Sequence, residues 1–156
     1  MRKGILLAVG VGLLLLPLAC NDRQGAGTSS STPSLVIRTA TVTVEIADTP
    51  ALRTQGLSGR ASLGAAAGML FVFDVDGRPS FWMKEMKFPL DFIWLRDAVV
   101  VGIHENLPSP EASTPDSALP TYTPSIPVDS MLEVNAGFVK QYGIQAGDSV
   151  ALNLGR

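Results

Sequence analysis

The side chains in this sequence that could do chemistry are Trp82, Lys84, Asp91, Glu105, Asn106, Tyr122 and Glu133. Asp91 lies between Leu90 and Phe92 in an apolar run, so if buried it needs a partner. Lys84 is a candidate for that role, as an ion pair across adjacent strands. Such a pair would satisfy two polar groups near a core and need do nothing more. The functional reading is a shallow polar pocket floored by Trp82 or Trp94 and covered by a Pro-rich segment, with Tyr122 at its rim. An aromatic floor with convergent polar groups suits a small polar ligand such as a sugar or a peptidoglycan fragment. A hydrolase would pair Asp91 with Glu105 or Glu133, but nothing in the sequence fixes the carboxylate separation on which that chemistry depends. No catalytic residue is assigned, and the balance leans away from an enzyme.

The remaining reactive side chains read as structural. His104 is the single histidine, and zinc wants three or four good ligands. A strand-end position near solvent is the simpler expectation. Met69, Met83 and Met86 carry soft thioethers, but methionine is also a core filler, and Met83 shares a strand face with Phe81. Gly56, Gly59, Gly64 and Gly68 do not form a phosphate-binding pattern. Arg60 is expected to tie its loop to the core. No metal and no cofactor are expected. The full chain carries 12 basic and 14 acidic residues. With no basic stripe, it has no electrostatic footprint for nucleic acid.

The N-terminus gives an address. Met1-Arg2-Lys3 is a short basic start, followed by an apolar run from Gly4 to Ala19 that is short for a membrane span and fits a secretory signal. It ends in Leu16-Pro17-Leu18-Ala19-Cys20, and Cys20 is the only cysteine. This arrangement resembles a bacterial lipoprotein signal cleaved before its Cys, although Pro17 stands where a Leu is usual. Cys20 would then carry the acyl chains, and several chains hold a protein stably on a bilayer. Asn21 after the Cys, rather than Asp, points to the periplasmic face of the outer membrane over the inner membrane. Loss of Arg2 and Lys3 with the signal leaves 10 basic and 14 acidic residues, a net charge of −4.

Elements that must position the candidate residues follow from periodicity. Residues 20–34 are Ser-, Thr- and Gly-rich and read as a lipid-anchored tether. Val42, Val44 and Ile46 alternate with polar residues as a half-buried strand. Asp48-Thr49-Pro50 opens a short helix that stops at Gly56. Gly68 to Leu95 holds both tryptophans and most of the phenylalanines, and so should be the core. It reads as strands at Met69–Phe73, Ser80–Glu85 and Leu90–Leu95, continuing through an Arg96-Asp97 turn into Val99–His104, an antiparallel meander. Residues 105–129 hold six of the 11 prolines and are either disordered or functional. A strand at Met131–Asn135, a helix at Ala136–Tyr142 and a strand at Ser149–Leu154 complete the chain. The expected body is α+β and mainly antiparallel, a compact barrel or sandwich-like single domain over 35–156 with two short helices.

With these segments placed, the chain resembles the uncharacterised family DUF192 (UPF0127). The matching motifs are Gly56-Leu57-Ser58-Gly59-Arg60, Gly68-Met69-Leu70-Phe71-Val72-Phe73, Phe81-Trp82-Met83-Lys84, Pro89-Leu90-Asp91, Glu105-Asn106, Leu132-Glu133-Val134-Asn135-Ala136-Gly137 and Gly147-Asp148. Glu85-Met86 stands where the family usually has Asn-Thr. The resemblance implies a fold and an envelope setting and transfers no catalytic residues. The combined expectation is an exported, lipid-anchored envelope protein that binds a small ligand or envelope component. The alternatives are a hydrolase of an envelope polymer and a purely structural interaction module.

Overall fold

The computed structural model describes residues 32–153. The expected signal peptide, Cys20 and nearly all of the tether lie outside the described residues. Strands β1 (Ser34–Ile37) and β2 (Ala40–Ala47) form a hairpin, followed by helix α1 (Pro50–Gln55) and β3 (Ala67–Gly77). Next come β4 (Phe81–Trp82), β5 (Leu90–Arg96), β6 (Val99–Leu107), a 3-10 turn at Asp116–Ala118 and β7 (Thr121–Tyr122). The chain closes with β8 (Val128–Asn135), α2 (Phe138–Tyr142) and β9 (Val150–Asn153).

Seven strands form one sheet in the order β6-β5-β8-β3-β2-β1-β9, and β4 with β7 forms a separate ribbon. A bridge between Val99 and Ser149 joins β6 to the residue before β9, so the edges of the sheet meet at one corner. Val100 donates to the Asp148 carbonyl and Gly147 to the Val100 carbonyl at 2.9 and 2.8 Å. The result is a half-barrel, mostly antiparallel. The exception is β2 with β3, which run parallel. A parallel neighbour demands a crossover, and the segment carrying α1 supplies it.

Because side chains alternate across a strand, the sheet carries two cores. Its inner face gathers Leu35, Ile37, Val42, Val44, Leu70, Ile93, Leu132 and Val134, plugged by Phe138 and Val139 of α2. The outer face carries Met69, Phe71, Phe92, Trp94 and Met131 under a cover of Leu57, Met83, Met86, Leu107 and Val128. Covered on both sides, β5 is buried at every residue from Leu90 to Leu95.

The meander expected from Met69 to His104 is only half present. Strands β5 and β6 form the expected hairpin, but β3 pairs with β2 and β8. Between Gly77 and Leu90 the chain leaves the sheet, since Pro79 and Pro89 cannot donate to a ladder. It lies across the outer face, with Phe81 and Met83 turned inward and Trp82 outward, on the faces alternation assigns. The Pro-rich segment has structure of its own. Its Thr121–Tyr122 pairs with Phe81–Trp82, and Pro124 accepts from the Arg78 guanidinium at 3.0 Å.

Candidate functional site

Helix α1 is where sequence and surroundings diverge. Thr49 caps it by accepting from the Leu52 N–H at 3.3 Å, Pro50 opens it, and Gly56 ends it at a positive φ of 49°. None of its six residues is buried. A helix that packs so lightly on the sheet leaves space beside it. That space is a cleft of about 1120 Å³ between α1 and β4, with Phe71, Phe73 and Glu133 also lining it.

Glu133 is the unusual group here. It pairs across the sheet with Phe92 on β5 and Met69 on β3. Its side chain therefore shares the outer face with them. It is only 5% exposed, and among the described residues no donor reaches its carboxyl. No fully enclosed side-chain polar atom among them is without a partner. The carboxyl oxygens therefore keep an opening to the cleft. Burial pushes the Glu133 pKa from 4.5 to about 8, so near neutral pH the group is mostly the uncharged acid.

The cations along the cleft are already engaged. Arg53 of α1 donates to the Asp48 and Val72 carbonyls at 2.8 and 2.7 Å, and to Asp74 at 3.2 Å. Lys84 Nζ lies 2.6 Å from Asp116 of the Pro-rich segment and 5.4 Å from the Trp82 ring centre. Trp82, 46% exposed, stands on the cleft wall with its indole free of the core. Behind it the Phe81 ring meets Phe71 and Trp94 edge-on at 5.0 and 5.7 Å.

The expected Lys84–Asp91 ion pair does not form. Lys84 sits on the outer cover, whereas Asp91 pairs with Val134 on the inner face. Asp91 is fully buried and accepts from the Asn106 and Val139 backbone N–H groups at 2.7 and 2.9 Å. Asp91 and Glu133 therefore point to opposite faces of the sheet. Glu105 is exposed, as is Asn106, which holds a positive φ of 53°. Tyr122 does not line the cleft; its ring stands edge-on to Phe92 at 5.8 Å and to His104 at 5.5 Å. Trp94 is fully buried and forms no floor. His104 is not at the end of its strand. Its Nδ1 accepts from the Trp94 indole N–H at 2.8 Å, and burial lowers its pKa.

Of the residues expected from sequence, Trp82, Lys84 and Glu133 thus meet at one cleft. Arg53 and Phe73 join them without any sequence signal, because only the parallel crossover brings α1 beside β4. Arg60 ties its loop not to the core but to the exposed Glu45 of β2, by a forked contact at 2.5 and 2.7 Å. That contact also holds the Glu45 carboxyl below its usual range. Met83 and Met86 are buried fillers. No cluster of metal-ligating side chains occurs among the described residues.

The fold is a curled half-barrel whose two parallel strands are joined through a crossover helix. The DUF192 family ("Uncharacterized ACR") matches residues 34–152. The chain belongs to that family. No curated protein matches it significantly. It is similar to a crystal structure from Sinorhizobium meliloti, provisionally named a transcription regulator, at 34% identity and TM-score 0.67. That match covers 79% of this chain and 95% of the other. A protein of unknown function from Novosphingobium aromaticivorans is similar at 25% identity and TM-score 0.68, over 82% of this chain and 98% of that one.

Proposed function

We propose that this chain is an exported binding module, lipid-anchored through Cys20 and presenting its α1–β4 cleft to a small polar ligand of the cell envelope. The observation that carries the reading is the Glu133 carboxyl, buried without a donor among the described residues at a cleft walled by Trp82. A preformed cleft that combines aromatic side chains with a few convergent polar groups is how small-molecule sites are commonly built. Placement at the periplasmic face of the outer membrane rests on the sequence around Cys20. Of the rival hydrolase's two carboxylate pairs, Asp91 with Glu133 loses support from the pleat, which separates them across the thickness of the sheet, and Asp91 with Glu105 from the full burial of Asp91 against an exposed Glu105. The regulator name of the Sinorhizobium protein finds no counterpart in the acidic charge balance of this chain.

Two measurements test the reading. Cys20→Ser is expected to release the protein from the membrane fraction; full retention of the variant removes the anchor. A thermal-shift screen against sugars and muropeptides is expected to raise the Tm of the wild type with at least one of them, because binding to the native state stabilises it. Trp82→Ala should diminish that rise. A screen in which none of them moves Tm removes the binding role.

A further inference from the structure

We infer that the cleft takes a small organic cation, an ammonium-bearing ligand with its charge on the Glu133 carboxyl and its carbon skeleton against the Phe81–Trp82 wall. The inference deepens the binding role proposed above and rests on it.

Three observations converge. First, the Glu133 carboxyl is buried, lacks a donor among the described residues and opens on the cleft. When ionised, a carboxylate only accepts, so the group that completes it must bring N–H donors and, best, a positive charge. Second, the chain supplies no such group itself. Of the charged side chains lining the cleft, Arg53 is held by Asp74 and two backbone carbonyls, and Lys84 by Asp116. Glu85 is itself acidic. An anionic ligand would find both cations engaged. Third, the wall opposite α1 carries Phe71, Phe73, Phe81 and Trp82, and ring faces attract ammonium groups. Trp82 already has one beside it, the Nζ of Lys84 at 5.4 Å from the ring centre.

Binding should also move a proton. The residues opposite Glu133 on β3 and β5 are Met69 and Phe92, neither of which titrates. The ionisable groups along the cleft are Arg53, Lys84 and Glu85, and burial alone accounts for the pKa near 8. At pH 6.5 the empty cleft holds the acid form. An arriving ammonium displaces its proton: the O–H bond breaks, the proton passes to buffer, and the ammonium–carboxylate contact remains. Affinity should therefore rise about tenfold per pH unit below 8 and level off above it.

The test uses the full chain in non-ionic detergent and three probes of matched size: n-butylammonium, n-butanol and butyrate. Titration calorimetry at pH 6.5 in buffers of different ionisation enthalpy counts the protons released. The expected result is at least tenfold tighter binding of butylammonium, with about one proton released per ligand. Glu133→Gln should erase the preference for the cation and the proton release together. Equal binding of the three probes, or tightest binding of butanol or butyrate, overturns the inference. So does a cation preference without proton release in the wild type, a readout that needs no variant. If a sugar or muropeptide still raises Tm while butylammonium is not preferred, the binding role stands and only the cationic ligand falls.

Discussion

Glu133→Gln is expected to make the protein more stable at pH 8 by several kcal/mol while changing little at pH 5. In the unfolded chain Glu133 ionises near 4.5, and in the fold burial raises that to about 8. Between those values the native state keeps a proton that the unfolded state has lost. Stability from this group is thus fully present below about 4.5 and is lost progressively as pH rises to about 8. At about 1.4 kcal/mol per pH unit, the loss over that interval is roughly 5 kcal/mol. Gln keeps the shape and has no proton to lose. Urea midpoints at pH 5, 6, 7 and 8 should fall for the wild type and stay nearly level for the variant. Parallel curves would show that the carboxyl is not desolvated in the fold. A site that costs stability at neutral pH, where an apolar residue would pack without penalty, is easier to understand as a functional site than as packing.

How far the sequence anticipated the molecule depends on the range of the forces involved. Local signals carried well. Thr49-Pro50 and Gly56 bound α1 as capping chemistry requires, and the turn expected at Arg96-Asp97 lies one residue on, at Asp97-Ala98, where it closes the β5–β6 hairpin. Alternation placed Phe81 and Met83 inward and Trp82 outward. The parallel pairing of β2 with β3 was not legible, because register between strands separated by a crossover is set by the finished core. That pairing is what brings Arg53 and Trp82 to one cleft. Asp91 was misread for a related reason. A polar residue in an apolar run announces that it needs a partner but not whether the partner is a side chain or the backbone.

Asp91→Ala is expected to destabilise the protein by about 3–5 kcal/mol. The two oxygens of Asp91 serve different N–H groups, those of Asn106 and Val139. Val139 is the second residue of α2, whose first flanking residue, Gly137, offers no side-chain cap. Asp91 thus caps the helix from strand β5, placing a carboxylate where the helix end favours negative charge. Its other bond holds Asn106 at a positive φ, a conformation uncommon outside glycine that asparagine tolerates better than most. Alanine removes both acceptors and strands both donors, at about 1.5–3 kcal/mol for each charge-assisted bond. Asp91→Asn keeps one acceptor and should lose about half as much. Amide exchange at Asn106 and Val139 should accelerate together, and a loss under about 1 kcal/mol would contradict the capping role. Asp91 and Glu133 are both acids between apolar neighbours, yet neutralising them has opposite predicted signs. Two backbone donors meet the Asp91 carboxyl on the inner face of the sheet, and none among the described residues meets that of Glu133. That difference in donors makes one acid a structural tie and is what the proposed binding role of the other rests on.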